Sequence, residues 1–308
     1  MSRYVLTGTT GRLGSRTLRS ILEKKLISPA DLVISSSNPA HVPPIAQQHG
    51  VEIRSGNYTD PESLRSAFAG ADVLFLMSHP DPGVQRVEFH RNAIETARDV
   101  GISTVVYSSM MFGGETGLTS VIGIQQGHIR TARYLAQSGM DHVIVRQGIY
   151  AQAWGYYAGF QSGVFRRADT QPLEWVIPHD AAIAWAALDE LGEGNAAILA
   201  DYRSHLGQTL RLTGPRATTI SEIARLVESR TGRAVNLRLV GKQEAVRYHK
   251  ERQSVPPWSF PYLEENWSAM YDGLQDGEGE VVDPLLGHLL GRPATGIEEM
   301  ADELFVLQ

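Results

Sequence analysis

Short apolar runs alternate with helical patterns through the first half of the chain. Residues 4–6, 31–35, 51–55, 73–77, 104–107 and 142–146 read as strands. Between them, residues 16–26, 39–49, 61–68, 87–100 and 126–138 read as helices. The 87–100 stretch carries apolar residues at 89, 93, 94, 97 and 100, the spacing of one helical face. Asp60 is placed to cap the 61–68 helix, and Pro61 suits its first position. Strands and helices in this alternation predict an α/β fold: a doubly wound parallel sheet with helices on both faces. The uncharged run Val73-Leu-Phe-Leu-Met77 fits a strand buried on both sides.

The second half is less regular. Residues 175–177 read as a short strand, 181–191 as a helix, and 208–212 as a seventh strand ending at Gly214-Pro215. Residues 221–231 form a capped amphipathic helix with 218–220 as its lead-in, and 242–252 and 296–305 are helical. The expected organisation is a nucleotide-binding domain over residues 1–150, with returning segments at about 175–215. Residues 151–308 then supply mainly a smaller, mixed cap that binds substrate over the C-terminal ends of the strands, where ligands of open α/β sheets bind.

The most specific chemistry lies at the first strand-to-helix junction, Tyr4-Val-Leu-Thr-Gly8-Thr-Thr-Gly11-Arg-Leu-Gly14. Glycines three apart, following a strand and opening a helix, are the grammar of a dinucleotide-binding turn. Gly8 permits the tight turn, Gly11 exposes bare backbone to a pyrophosphate, and Gly14 lets helix and strand pack closely. The helix N-terminus adds unpaired N–H groups and a positive dipole end. Sites selective for NAD place a carboxylate roughly 20 residues past this loop, at the end of the second strand. Here that stretch is Ser35-Ser36-Ser37-Asn38-Pro39. Hydroxyls accept a 2′-phosphate that a carboxylate would repel, so NADPH is the expected cofactor, with Arg12 as a further source of charge.

Composition narrows the classes. A net charge of −6 gives no electrostatic reason to bind nucleic acid or an anionic membrane. The chain has no cysteine, which removes disulfides, thiolate nucleophiles and cysteine-held metals. No histidine pair shows metal-site spacing, and no metal is expected. The start reads as strand and glycine loop, and no apolar run reaches the roughly 20 residues that span a bilayer. A cytoplasmic protein, monomer or homodimer, is expected. The acidic segment 272–283 resembles a calcium loop weakly, lacks its full ligand pattern, and reads as a solvated linker.

With these landmarks placed, the chain resembles the NmrA-like branch of atypical short-chain dehydrogenases, and most of all the NADPH-dependent quinone oxidoreductase type. The resemblance rests on the Thr7–Gly14 loop, Gly56-Asn-Tyr-Thr-Asp60, His90-Arg-Asn92, Tyr107-Ser-Ser109, Gly127-His128, Val145-Arg-Gln-Gly-Ile-Tyr150 and Leu290-Gly-Arg-Pro-Ala-Thr295. It implies a Rossmann core, bound NADP(H) and a small C-terminal substrate domain. Members include working reductases and also regulators that bind the cofactor without turnover. By resemblance the loop contributes Gly8, Thr10, Gly11, Arg12 and Leu13. Asn57 lies beside the adenine, and Met77, Ser78 and His79 line the diphosphate and ribose. Ser108 and Ser109 approach the nicotinamide, and Gln147 to Tyr150, including Ile149, form the floor under its ring.

Only four lysines occur, Lys24, Lys25, Lys242 and Lys250, and no Tyr-x-x-x-Lys. The Tyr–Lys proton relay of ordinary short-chain dehydrogenases is therefore missing. Reducing a simple ketone needs a proton donor at the developing alkoxide, whereas a quinone, enone or iminium is already activated. Candidate catalytic groups are His128, Tyr150 and Ser109. His128 titrates in a range that suits proton donation, or else it caps its helix. The resemblance places a glutamate one turn on in many relatives, where this chain has Ala132. Trp154, Tyr156, Tyr157 and Phe160, with Trp175, either pack in a core or form one wall of a flat pocket. Trp258, Phe260, Tyr262 and Trp267 are candidates for the opposite wall. The leading expectation is an NADPH-dependent reductase acting on a small aromatic or polycyclic substrate. The alternatives are a redox-sensing regulator and a cyclase or isomerase on the same scaffold.

Overall fold

A computed structural model of the chain describes residues 2–81 and 85–308. Seven parallel strands form one sheet: β1 (Tyr4–Thr7), β2 (Leu32–Ser36), β3 (Glu52–Ser55), β4 (Val73–Met77), β5 (Thr104–Met110), β6 (Asp141–Gln147) and β7 (Thr209–Leu212). Their order in space is β3-β2-β1-β4-β5-β6-β7. The chain winds one way from β1 and the other way from β4, so a crevice opens between those strands at their C-terminal ends.

Alternation of side chains divides the sheet's two cores. Val5 and Leu74 are register partners and face a cluster with Leu64, Phe68 and Ile94. Their neighbours Leu6 and Phe75, also partners, face Leu18, Ile21 and Leu191 on the other side. The first cluster is closed by α3 (Pro61–Phe68), α4 (Gln85–Asp99) and α5 (Gly123–Gln137), the second by α1 (Arg12–Glu23) and the helix Leu188–Ala200. Each fully buried side chain of this size contributes roughly 1.5–3 kcal/mol.

Local signals explain several boundaries. Asp60 Oδ1 accepts from the N–H groups of Glu62 and Ser63 at 3.1 and 3.3 Å, the expected cap of α3. Thr219 and Glu222 form a reciprocal capping box on the helix Ile220–Thr231, which ends at Gly232 with φ 71°. The expected 39–49 helix breaks at Pro43 and Pro44 into a 3-10 turn, Pro39–His41, and α2 (Pro44–Gln48).

Three expectations are corrected. The helix placed at 181–191 begins only at Leu188. Residues 182–183 pair antiparallel with 218–219 instead, and the helix starts where Asp189 and Glu190 oppose its dipole. The tail helix shrinks to Ala301–Leu304, because Val306–Leu307 leaves to pair with Val164–Phe165. The acidic segment 272–283 is no solvated linker: Asp272 pairs with Lys242 at 2.7 Å, Asp283 with Arg211 at 2.8 Å, and Glu278 is buried.

A third cluster joins residues of the C-terminal half to Phe112, Ile122 and Ile149, which follow β5 and β6. Leu173–Ile177 pairs in parallel with Val235–Leu239, and Trp175, Trp185, Trp267 and Tyr271 fill the centre. No helix among the described residues is long and apolar enough to cross a membrane.

Candidate active site

Two adjoining cavities follow the C-terminal ends of the strands. The first, about 280 Å³, is lined by Gly8, Thr10, Ser35, Ser36, Ser37 and Asn57. The second, about 360 Å³, is lined by Ser108, Ser109, His128, Gln147, Ile149 and Tyr150, with Arg86 and Tyr157. Met77, Ser78, His79 and Pro80 border both, so the two are halves of one cleft. The structure thus brings together all but three of the expected site residues.

Those three, Gly11, Arg12 and Leu13, form the start of α1. The helix begins four residues earlier than its apolar pattern predicts, at the glycine turn itself. Gly11 has no side-chain cap to offer, and the N–H groups of Arg12, Leu13 and Gly14 have no protein acceptor among the described residues. The Gly11 N–H closes the turn onto the Gly8 carbonyl at 3.0 Å. The Leu13 side chain is buried in the core, so only its backbone is available to a ligand.

The three glycines are required for different reasons. Gly8 has φ 65°, and a Cβ there would stand 2.6 Å from the Met77 side chain. A Cβ on Gly14 would lie 2.2 Å from the Gly8 carbonyl oxygen, so this glycine sets the helix against the turn. Gly11 has φ −85° and would meet only the Gly8 oxygen at 3.3 Å. The fold asks little of Gly11. Its bare backbone instead leaves the open end of α1 accessible to an anion.

A nucleotide fits this half of the cleft on independent grounds. The hydroxyl of Ser35 is buried without a protein partner, and Ser35 and Ser78 both line the cavity. Ser36 Oγ accepts from the Asn38 N–H at 3.1 Å, while Ser37 is exposed. Asn57 Oδ1 accepts from Thr59 N–H at 3.1 Å and shapes the turn over the cavity.

A row of polar rings runs beneath the cleft and links His79 and His128 to His90, Tyr107 and Tyr58, for which no individual role was expected. The His79 N–H donates to His90 Nε2 at 2.9 Å, which leaves the His90 proton on Nδ1 for Thr131 Oγ1, also at 2.9 Å. Thr131 then donates to the Gly127 carbonyl. The Tyr107 hydroxyl and His128 Nδ1 lie 3.0 Å apart. Thr7 Oγ1 takes the Met77 N–H at 2.9 Å and lies 2.7 Å from the Tyr58 hydroxyl. The only sequence signal for this row was its membership in short recurring motifs, because a polar residue at an apolar helical position looks exposed until its partner strand is known.

Burial sets the charges. It pushes His128 well below the usual imidazole range, with the Arg86 guanidinium adding to the effect. The same causes bring His90 down to about 3. Burial raises Tyr107 and Tyr150 to about 12. The expectation that His128 titrates near neutrality is therefore corrected: it is neutral there, and Tyr150 keeps its phenolic proton. Because His90 and His128 must stay uncharged in the folded state, the unfolded chain binds more protons below its histidine range of about 6.5. Chemical denaturation at a series of pH values should show stability intact above pH 7 and falling from about pH 6.5 downward. The double change His90→Gln, His128→Gln should flatten that slope.

The side-chain amides of Gln147 and Asn195 exchange hydrogen bonds at 2.8 and 3.1 Å, so Gln147 braces the cleft floor from below. Of the expected aromatic walls, Tyr157 alone lines the cavity. Trp154, Trp175 and Trp267 are core, Tyr156 meets Tyr262 at 3.2 Å between hydroxyls, and Trp258 is 82 % exposed. These aromatics do not share one helical face, because the helix Trp154–Tyr157 is a single turn and Phe160 has φ 63°. No lysine lines either cavity; Lys24, Lys242 and Lys250 are paired with Glu193, Asp272 and Glu264.

Comparison with known proteins agrees with this geometry. A family model described as NAD(P)H-binding matches residues 8–159. The chain is 27 % identical to quinone oxidoreductase 2 of Escherichia coli over 97 % of its length and 98 % of the relative's. It is 28 % identical to an NmrA-like family domain-containing oxidoreductase of Aspergillus flavus, over 99 % of this chain and 95 % of that one. A crystal structure of an Escherichia coli NADPH-dependent quinone oxidoreductase complexed with NADPH superposes with TM-score 0.83 at 25 % identity, covering 98 % of this chain and 99 % of the other. The chain thus carries an NAD(P)H-binding domain and is similar, along nearly its whole length, to an NmrA-like oxidoreductase and to NADPH-dependent quinone oxidoreductases.

Proposed function

We propose that this protein is an NADPH-dependent reductase of flat, conjugated small molecules, quinones foremost. The observation that carries the reading is a lysine-free cavity, about 360 Å³, that continues the nucleotide cleft and is walled, Arg86 apart, by neutral groups. The matched relatives, named as quinone oxidoreductases, support it.

In this reading the open N-terminus of α1 and the Gly8–Leu13 backbone hold the diphosphate. Ser35, Ser36 and Ser37 face the ribose side, where the absence of a carboxylate and the exposed Arg12 suit a 2′-phosphate. Asn57 closes over the adenine end, and Met77 to His79 cover the middle. Ser108, Gln147 and Ile149 support the reactive end. NADPH, when bound, supplies hydride.

The chain's own residues then orient the acceptor and exclude water. Tyr150 and Ser109 present hydroxyls to the cavity, and Tyr150 remains a hydrogen-bond donor throughout the neutral range. His128 acts as a neutral wall group held by Tyr107. None of these is a strong acid, so the catalytic gain comes mainly from proximity and orientation. That limits the chemistry to acceptors that are already polarised.

The test is NADPH consumption across quinones, enones and cyclic imines, with 4-deuterated NADPH to follow the label. Turnover with quinones and deuterium in the product is the expected result. Tight cofactor binding without any turnover would favour a regulator, and product without label a cyclase or isomerase.

A further inference from the structure

Arg86 is the one charged group in the substrate half of the cleft for which the reading above has no use. It sits in the first turn of α4 and is only 3 % exposed. Among the described residues it forms no ion pair. Its Nε has no acceptor, and Nη1 makes one long bond, 3.3 Å, to the Ile124 carbonyl. Yet the side chain lines the cavity alongside Ser109, His128 and Tyr157.

The fold makes room for it. A Cβ on Gly127, in the facing helix α5, would stand 3.3 Å from Arg86 Cδ. The titratable rings nearby are uncharged at neutral pH: His90 and His128 are neutral imidazoles, and Tyr107 keeps its phenolic proton. Asp81 attracts the guanidinium without an ion pair to it. Burying a guanidinium among neutral partners opposes folding unless something anionic completes it. The planar fork, with most of its donors unspent, suits an oxygen anion on a flat ligand.

We propose that Arg86 forms an oxyanion subsite, and that the favoured ligands are aromatic or quinonoid molecules carrying an ionised ring hydroxyl. This inference rests on the reductase reading, since it places the ligand in the same cavity. Arg86 fixes the anionic oxygen at the α4–α5 side, and the ring lies against Tyr157 and Ile149.

The test is calorimetric titration of the NADP⁺-loaded protein with two probes of equal shape. At pH 7, 2-hydroxy-1,4-naphthoquinone is an anion and 2-methoxy-1,4-naphthoquinone is neutral. Wild-type protein should bind the anion at least about tenfold more tightly, as expected for hydrogen bonds to a charged group. Arg86→Gln should lose that preference, and Arg86→Lys should keep part of it. Thermal melting checks that the variants fold, and the wild-type ratio is readable without them. Equal binding of the two probes by wild type, or an undiminished preference in Arg86→Gln, overturns the subsite. If wild-type protein still turns over the methoxy compound, the reductase reading survives that failure. If wild type binds neither probe, the subsite and the substrate site fall together.

Discussion

Replacing Gly11 by aspartate should reduce NADPH affinity at least about a hundredfold while leaving the fold intact. The residue caps α1 with φ −85°, a conformation open to any side chain, and an added Cβ meets only one protein atom, at 3.3 Å. The protein therefore tolerates the change with little loss. The new carboxylate, however, projects where the unpaired N–H groups of Arg12, Leu13 and Gly14 converge. It would repel a diphosphate and also compete for those donors, as an acidic group stabilises any helix N-terminus. Gly11→Ala should weaken binding far less. Gly14→Ala should do the opposite of Gly11→Asp. Its Cβ would stand 2.2 Å from the Gly8 oxygen, so it should cost about 1–3 kcal/mol of stability and disturb binding only as the turn shifts. Fluorescence titration with NADPH and thermal melting on the three variants separate the glycine that serves the ligand from the glycine that serves the fold.

The second large effect is expected at Glu278. This carboxylate is 7 % exposed and anchors the segment between β5 and α5 from the C-terminal cluster. Oε2 accepts from the Gly113 N–H at 2.7 Å and the Ser120 hydroxyl at 2.5 Å, and Oε1 from the Val121 N–H at 3.1 Å. Glu278→Ala leaves the buried Gly113 N–H unpaired, at about 1–3 kcal/mol, and strips two partly buried donors of their partner. A loss of about 3 kcal/mol is expected in urea unfolding. Because the released segment follows Ser109 and Met110 directly, the KM for substrate should rise more than the Kd for NADPH. Equal changes in both would mean that the segment does not border the substrate half.

Much of this site was legible in the sequence because its parts are backbone features. Glycine spacing, a strand before it and a helix after it specify the turn, and the missing carboxylate at Ser35–Ser37 can be read directly. The strand ends carrying Ser78, Ser108 and Gln147 followed from counting alternations. What was not legible depends on long-range partners. Arg86 and His90 occupy helical positions that a period alone assigns to solvent or core, and only the packing of α4 on α5 shows them buried and polar. The aromatic-rich segments looked like pocket walls because composition cannot distinguish a cap's own core from its lining. Glu278 was hidden in an acidic run whose average character is exposed. Residues 181–187 read as helix because alanine favours helices locally, while the strand pairing of Ala182–Ile183 with Thr218–Thr219 prevails in the fold.

A crystal structure of the protein soaked with NADP⁺ tests the central claim most directly. The account requires the diphosphate oxygens within hydrogen-bond distance of the Arg12, Leu13 and Gly14 N–H groups, with the nicotinamide end lying toward Tyr150 and His128. Density for the nucleotide elsewhere, or a vacant cleft at saturating cofactor, would contradict it.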